Sequence, residues 1–387
     1  MIGTRGVPPQ YGGFETAVDE IGRRLVDRGH EVVVYCRNPR QKIRSYHGMT
    51  LVNLPAIRHR ALETLSHTGL STVHAALRRR PDVAMVFNAA NAPFVPFLRA
   101  AGIPTAVHVD GIEWQRAKWH GLGARYYRMA EGWSVRWADA VVADARGIVD
   151  HIREITGQES VFIPYGAPIL DPPPDRLHEL GLEPGHYHLA VARFEPENHL
   201  NVLVTGRLQS RATYPLVVVG GAPYPDGHEQ HVRSLAHGDE RVRFVGPVWD
   251  QELLDQVYAH AVSYLHGHSV GGTNPSLLRA MGVGTSVTAW DVVFNREVTG
   301  DLARFVTESP HVAEALEADE ADPAGVKERG DLLRERAKVH YRWDDVAMAY
   351  EALCEELAGR RARPSCWSTP RSRCTGPPAA PLRPASS

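Results

Sequence analysis

A mostly parallel, doubly wound α/β architecture, repeated in two halves, is what this chain of 387 residues predicts. Two patterns carry the prediction. Apolar, strand-like runs alternate with helical patterns in both halves, as in βαβ units. A proline cluster, Asp171-Pro172-Pro173-Pro174, interrupts the alternation and places a domain boundary near residues 166–180. The length fits two domains of ordinary size, and the apolar content allows each its own core.

In chain order, Met1-Ile2 is all that precedes a glycine-rich loop, GTRGVPPQYGGF. The expectation is therefore that either the start codon is misplaced or the first strand of the central sheet is missing. The loop feeds a helix that Gly29 stops, and HEVVVYCR follows as a buried strand. MTLVNLP, VAMVFNAA, TAVHVDG, DAVVADA and SVFIPYG complete the strands of the first half. In the second half HLAVARF, YPLVVVGGAP, RVRFVGPV, AVSYLHGH and TSVTAWD are strands. DQELLDQVYAHA is a helix, and NPSLLRAMGVG opens another with Thr273 or Asn274 as its cap and Pro275 in its first turn. YRWDDVAMAYEALCEELAG closes the ordered region as an amphipathic helix. The expected division is residues 1–168, 175–340, a last helix at 341–358, and a disordered tail at 359–387.

That tail holds six arginines and no acid, so the remainder is correspondingly acidic within a net charge of −2. A basic tail of Pro, Ser and Arg can meet acidic lipid headgroups or nucleic acid; an unselected C-terminus reads the same way. No apolar run is long enough to span a membrane, and no secretory leader is visible. The expected location is cytoplasmic, with peripheral contact at the inner membrane face left open. Cys36, Cys354, Cys366 and Cys374 form no Cys-x2-Cys pair, and His228-Glu229-Gln230-His231 lacks zinc-helix spacing. No metal and no cofactor is expected.

Four constellations carry chemistry. Gly12 and Gly13 open the first helix, where bare amides and the positive helix end favour a phosphate, with Arg5 as a fixed cation. A structural strand-to-helix turn reads the same way. In VHVDGIEWQRAKWHG, Asp110 ends a strand and Glu113, Arg116 and Lys118 follow among tryptophans. So dense a charged loop is costly to bury without purpose, although a solvated turn anchored by its tryptophans remains an alternative. Arg193 ends a strand in VARFEPENHL, where a guanidinium can grip a diphosphate or form an ordinary surface ion pair. Gly271 and Gly272, with Thr273 and Asn274, again turn backbone amides outward ahead of a helix.

GTRGVPPQYGGFET and DGIEWQRAKW resemble the signatures of a rhamnosyltransferase-like subgroup within family 4 of the retaining glycosyltransferases, and the resemblance runs in order from residue 1 to about 358. It implies the GT-B fold: two facing Rossmann-like domains, with the last helix crossing back onto the first. It places Asp110 where other members carry a histidine that contacts the transferred sugar. It gives Arg193 the diphosphate, with Asn198 in the slot of a second cation, and it makes Glu113, Arg116 and Lys118 acceptor-side residues. Gly271 and Arg279 fall in the two slots of a Glu-x7-Glu motif whose second glutamate holds the ribose. Arginine has no acceptor for a hydroxyl. Arg279 either reaches a phosphate or abolishes donor binding, and Arg279→Glu is expected to raise donor affinity. Glu297 and Asn295 match a loop that shapes the pocket.

The implied activity is transfer of a hexosyl or deoxyhexosyl unit, rhamnosyl favoured, from a nucleotide-diphosphate sugar to a saccharide or lipid-linked saccharide. The sugar nucleotide is a co-substrate, and no nucleic acid partner is expected. The alternative is a catalytically degenerate GT-B binding or scaffold protein, favoured by Arg279, the missing first strand and the tail. An epimerase would need paired carboxylates, which the sequence does not display.

Overall fold

The computed structural model describes residues 1–9, 12–39, 41–57, 59, 62–109, 111, 113–116, 121–222 and 227–362. In the first half, β1 (Val33–Cys36), β3 (Met49–Asn53) and the short antiparallel β2 (Ser45–Tyr46) form one group. A parallel group follows, in the order β4 (Ala84–Phe87), β5 (Thr105–Val109), β6 (Ala140–Ala143) and β7 (Val161–Phe162). Every residue of β4 and β5 is buried, as expected for parallel strands covered on both faces.

Met1-Ile2 joins the two groups. The Ile2 amide donates to the Met85 carbonyl at 2.9 Å, and the Ile2 carbonyl accepts from Phe87 at 2.9 Å. On the other side the Met1 carbonyl accepts from the Tyr35 amide at 3.1 Å. The expected missing strand is thus corrected: two residues fill the central slot between β1 and β4. One peptide's donors and acceptors suffice to bridge both neighbours.

The second half is a six-stranded sheet, ordered β10 (Val242–Gly246), β9 (Leu216–Val219), β8 (His188–Val191), β11 (Ser263–His266), β12 (Ser286–Trp290) and β13 (Arg304–Val306), with all pairings parallel. The strand order reverses between β8 and β11. In such sheets ligands bind beyond the carboxyl ends of the strands at this reversal.

Six helices position the site: α1 (Gly13–Asp27), α2 (Arg146–Thr156), α3 (Gln251–Ala259), α4 (Pro275–Val283), α5 (Val293–Thr299) and α6 (Trp343–Ala362). The last extends four residues into the stretch read as tail from sequence; the rest of that stretch lies outside the described residues. After leaving the second half, α6 packs along α1. Asp344 pairs with Arg24 at 2.7 Å, and Glu351 pairs with Arg28 at 2.6 Å and His30 at 2.8 Å. Its Tyr350 hydroxyl meets His108 Nδ1 at 2.6 Å within the first half's core. Burial pushes His108 down to about 3, so a neutral ring receives that hydroxyl. Where the chain first crosses between halves, the Ala167 amide donates to the Tyr341 carbonyl at 2.7 Å. Among the described residues, no helix is long and apolar enough to cross a membrane.

Candidate functional site

Beyond β8 the chain turns sharply. The Arg193 carbonyl accepts from the Glu195 amide and from Asn198 Nδ2, each at 2.8 Å. Asn198 is buried and spends its amide on this turn, so its expected place on the donor is corrected: it shapes the loop that presents Arg193. The Arg193 side chain is exposed and has no carboxylate partner among the described residues. An exposed, unpaired guanidinium remains available to an anion.

Across the gap, Arg116 belongs to the first half but reaches the second. Its Nε lies 2.6 Å from Glu113 Oε1, and its Nη1 lies 3.9 Å from Glu197 Oε1; all three side chains are buried. Arg116 therefore stands at the donor-side turn, where sequence reasoning had given it to the acceptor.

His266, the last residue of β11, and His268 just beyond it stack with ring centroids 4.3 Å apart. Burial holds His266 down at about 3. Burial first, and then the charges of His266, Arg193 and Arg116, hold His268 well below the usual histidine range. Asn295 Nδ2 fixes this loop by donating to the His268 carbonyl at 2.9 Å and to the Trp290 carbonyl at 2.8 Å.

The turn before α4 forms one lip of the cleft. Asn274 is the cap, accepting from the Ser276 amide at 3.0 Å and the Ser276 hydroxyl at 2.7 Å. Thr273 is not the cap; it donates its hydroxyl to the Asp144 carbonyl, across the gap. Gly111, at φ +75°, faces Gly271 so closely that a Cβ there would sit 2.8 Å from the Gly271 Cα. A Cβ on Gly272 would collide with the Asp144 carboxylate. The two lips are in direct contact.

Glu297, expected in a loop that shapes the pocket, ties the two halves together. Its carboxylate accepts from the Arg146 amide at 2.9 and 3.0 Å and from the Gly147 amide at 3.4 Å. These are the first amides of α2, whose own cap residue, Ala145, has no side-chain acceptor. The second half thus caps a helix of the first. Glu297→Ala is expected to cost about 1 kcal/mol and to increase the radius of gyration in small-angle scattering. An unchanged radius would mean that the remaining contacts hold the lips unaided.

The first glycine corner is not an open phosphate cradle. A Cβ on Gly12 would sit 2.5 Å from Glu15 Oε2, and Glu15 Oε1 accepts from the Arg5 amide at 2.9 Å. The helix end that would attract a phosphate already has a carboxylate of its own first turn. Gly13 instead lies against Pro275, where a Cβ would approach to 3.1 Å. The Arg5 guanidinium turns to Glu63 at 3.5 Å. In this structure Gly12 faces Glu15, Gly13 faces Pro275 and the Arg5 guanidinium faces Glu63.

Arg279 has a protein partner as well. Its guanidinium pairs with Asp255 on α3 and lines a cleft of about 430 Å³ at the hinge, with Glu20, Arg24, Leu170, Gln251 and Trp343. It lies on the face of α4 turned towards α3 and the hinge. Arg279→Glu is now expected to destabilise the fold rather than raise donor affinity. Burial already raises the Asp255 pKa and Arg279 opposes that rise, so a second carboxylate would drive it higher. The repulsion requires ionised carboxylates. The loss in melting temperature should therefore grow as pH rises through the raised titration of Asp255 and shrink in acid. A loss independent of pH would assign it to packing.

Asp110 and Lys118 lie outside the described residues. Sequence reasoning missed Asp144, Glu197 and His268. Asp144 carried a usable signal, an acid immediately after the apolar strand AVVA, as Asp110 follows TAVHV. Glu197 and His268 carried none, because only the fold brings their loops to Arg116.

Residues 12–166 match the model of the Glycosyl transferase 4-like domain. No curated protein matches the chain in sequence. Among solved structures the chain resembles sucrose-phosphate synthase from Thermosynechococcus elongatus, with a TM-score of 0.77 at 19% identity, covering 91% of this chain and 96% of that one. It also resembles Anabaena HepE in complex with UDP-glucose, at 0.72 and 15% identity over 90% and 98%. A third likeness is to an α,α-trehalose-phosphate synthase (UDP-forming) from Burkholderia xenovorans in complex with glucose-6-phosphate, at 0.68 and 12% over 92% and 98%. These likenesses establish the fold as GT-B, two facing Rossmann-like domains.

Proposed function

We propose that the protein is a glycosyltransferase that takes a hexosyl or deoxyhexosyl unit from a nucleoside-diphosphate sugar and delivers it to a hydroxyl of a saccharide or lipid-linked saccharide. The observation that carries this reading is Arg193. It is an exposed guanidinium, without a carboxylate partner among the described residues, at the strand-order reversal of the second sheet, with Arg116 and the Gly271–Asn274 turn around the same gap. Two cations and outward amides suit a diphosphate that gains charge as it leaves. The match over residues 12–166 supports the same class.

In the reaction the bond from the anomeric carbon to the diphosphate oxygen breaks, and the acceptor oxygen bonds to that carbon. The acceptor's proton passes to the departing diphosphate. Attack from the face the diphosphate leaves gives retention. Arg193 and Arg116 offset the charge on the leaving group, and closed lips keep water from the sugar. The reaction needs no resident cofactor. Rhamnosyl transfer is supported by the sequence signatures, and glucosyl transfer by the likeness to a UDP-glucose complex.

The test is release of nucleoside diphosphate from UDP-glucose and dTDP-rhamnose, with and without saccharide acceptors, alongside calorimetric titration of UDP and dTDP. Turnover with either sugar supports the proposal; no binding and no turnover overturn it. Binding without turnover favours the second reading, a catalytically silent binding protein, which the Arg279–Asp255 pair favours on the structural side.

A further inference from the structure

We propose that Asp144 is the carboxylate that receives the hydroxyls of the transferred sugar, an assignment that rests on the nucleotide-sugar reading above. Asp144 stands at the carboxyl end of β6, one residue past the strand, and is fully buried. Its backbone carbonyl is held by the Thr273 hydroxyl from the opposite half. Its carboxylate presses on Gly272, the middle of the amide turn that faces the diphosphate. Gly272 is the residue that leaves this carboxylate room, since any side chain there would overlap it.

A sugar joined to a diphosphate at this turn lies one bond beyond the phosphate. Its hydroxyls are donors that need acceptors once water is excluded. Among the described residues, Glu113, Glu197 and Asp144 bring carboxylates to the gap. Arg116 engages Glu113 and Glu197, which suits them to hold that guanidinium against the diphosphate. Asp144 is the one set against the glycine turn itself. An ionised carboxylate offers acceptors only, and accepting from a neutral hydroxyl gives the stronger, charge-assisted hydrogen bond. The same negative charge favours the cationic character that the anomeric carbon acquires as the bond to the diphosphate lengthens.

Asp144 thus divides the donor between the halves. Arg193 and the glycine turn of the second half, with Arg116 reaching over from the first, grip the nucleoside diphosphate, and Asp144 of the first half reads the sugar. The division makes a specific demand: a loss at Asp144 must fall on the sugar-bearing nucleotide and spare the bare one.

The experiment compares Asp144→Asn with wild type by calorimetry, using UDP against UDP-glucose and dTDP against dTDP-rhamnose, with melting temperatures recorded in parallel. The amide keeps the shape of the carboxylate, and Asp144→Ala provides a second variant. The expected result is a nucleoside-diphosphate affinity within 3-fold of wild type, a loss of 10-fold or more for the matching nucleotide sugar, and turnover reduced by at least as much. Equal losses for bare and sugar-bearing nucleotides would overturn the assignment and make Asp144 a brace of the closed cleft. Unchanged affinity for both would overturn it too. Failure of the wild type to bind any of the four probes would instead overturn the nucleotide-sugar reading, and the assignment with it.

Discussion

Replacing Arg193 with alanine is expected to lower kcat/KM for nucleotide-sugar turnover by about 100-fold or more, with a melting temperature within about 2 °C of wild type. The two halves of this expectation have separate grounds. The side chain is exposed and holds no partner among the described residues, so its removal leaves no stranded charge and no cavity. The turn that presents it is held by backbone and by Asn198, and those bonds survive the substitution. The loss in rate arises because the guanidinium meets a charge that grows as the reaction proceeds. Arg193→Lys keeps the charge but loses the planar, two-pronged geometry, and should recover only part of the activity. Parallel losses of activity and melting temperature would show that Arg193 is structural.

Gly272→Ala should have the second largest effect, by the opposite route. Its Cβ would collide with the Asp144 carboxylate, which is buried and has little room to retreat. Each domain can fold as before, but the lips can no longer meet. Overpacking of this kind costs about 1–3 kcal/mol. Parting the lips displaces reacting groups by an amount that can cost about 100-fold in rate. The double variant Gly272→Ala/Asp144→Ala isolates the cause. It should regain the lost melting temperature, since the clash is gone, while turnover stays low because the carboxylate is gone too. Additive losses in stability would show that the two residues do not meet.

The fold was legible in the sequence because parallel strands leave long apolar runs. VAMVFNAA, TAVHVDG and LVVVGG each hold a buried strand. The antiparallel β2 and the edge strand β13 are too short to write such a pattern. The site was legible where a residue's role follows from its place at the end of a strand. Arg193 follows β8 and has no carboxylate partner among the described residues; of the two caps the sequence offered for α4, Asn274 is the one used.

Legibility failed where a partner distant in sequence decides the outcome. Nothing local tells that Glu15 folds back over Gly12, that Glu297 crosses to cap α2, or that Asp255 engages Arg279. Of the residues in these contacts, Gly12, Glu297 and Arg279 were expected at the donor, and each meets another part of the protein here. Arg116 shows the same blindness in reverse. Its loop reads as part of the first domain, while its guanidinium serves the second.

The two places where the chain passes between domains lie side by side. Gly166 abuts Trp343 so closely that a Cβ on the glycine would sit 2.5 Å from the indole, and Ala167 bonds to Tyr341. A pair of tethers fixed at one spot leaves a single easy motion, a swing about that pivot. Ångström adjustments at the pivot become much larger travel at the far rim, where the glycine lips meet. The molecule is geared like a pair of tongs, and a bulkier residue at position 166 would act on the grip from a distance, without touching anything that is gripped.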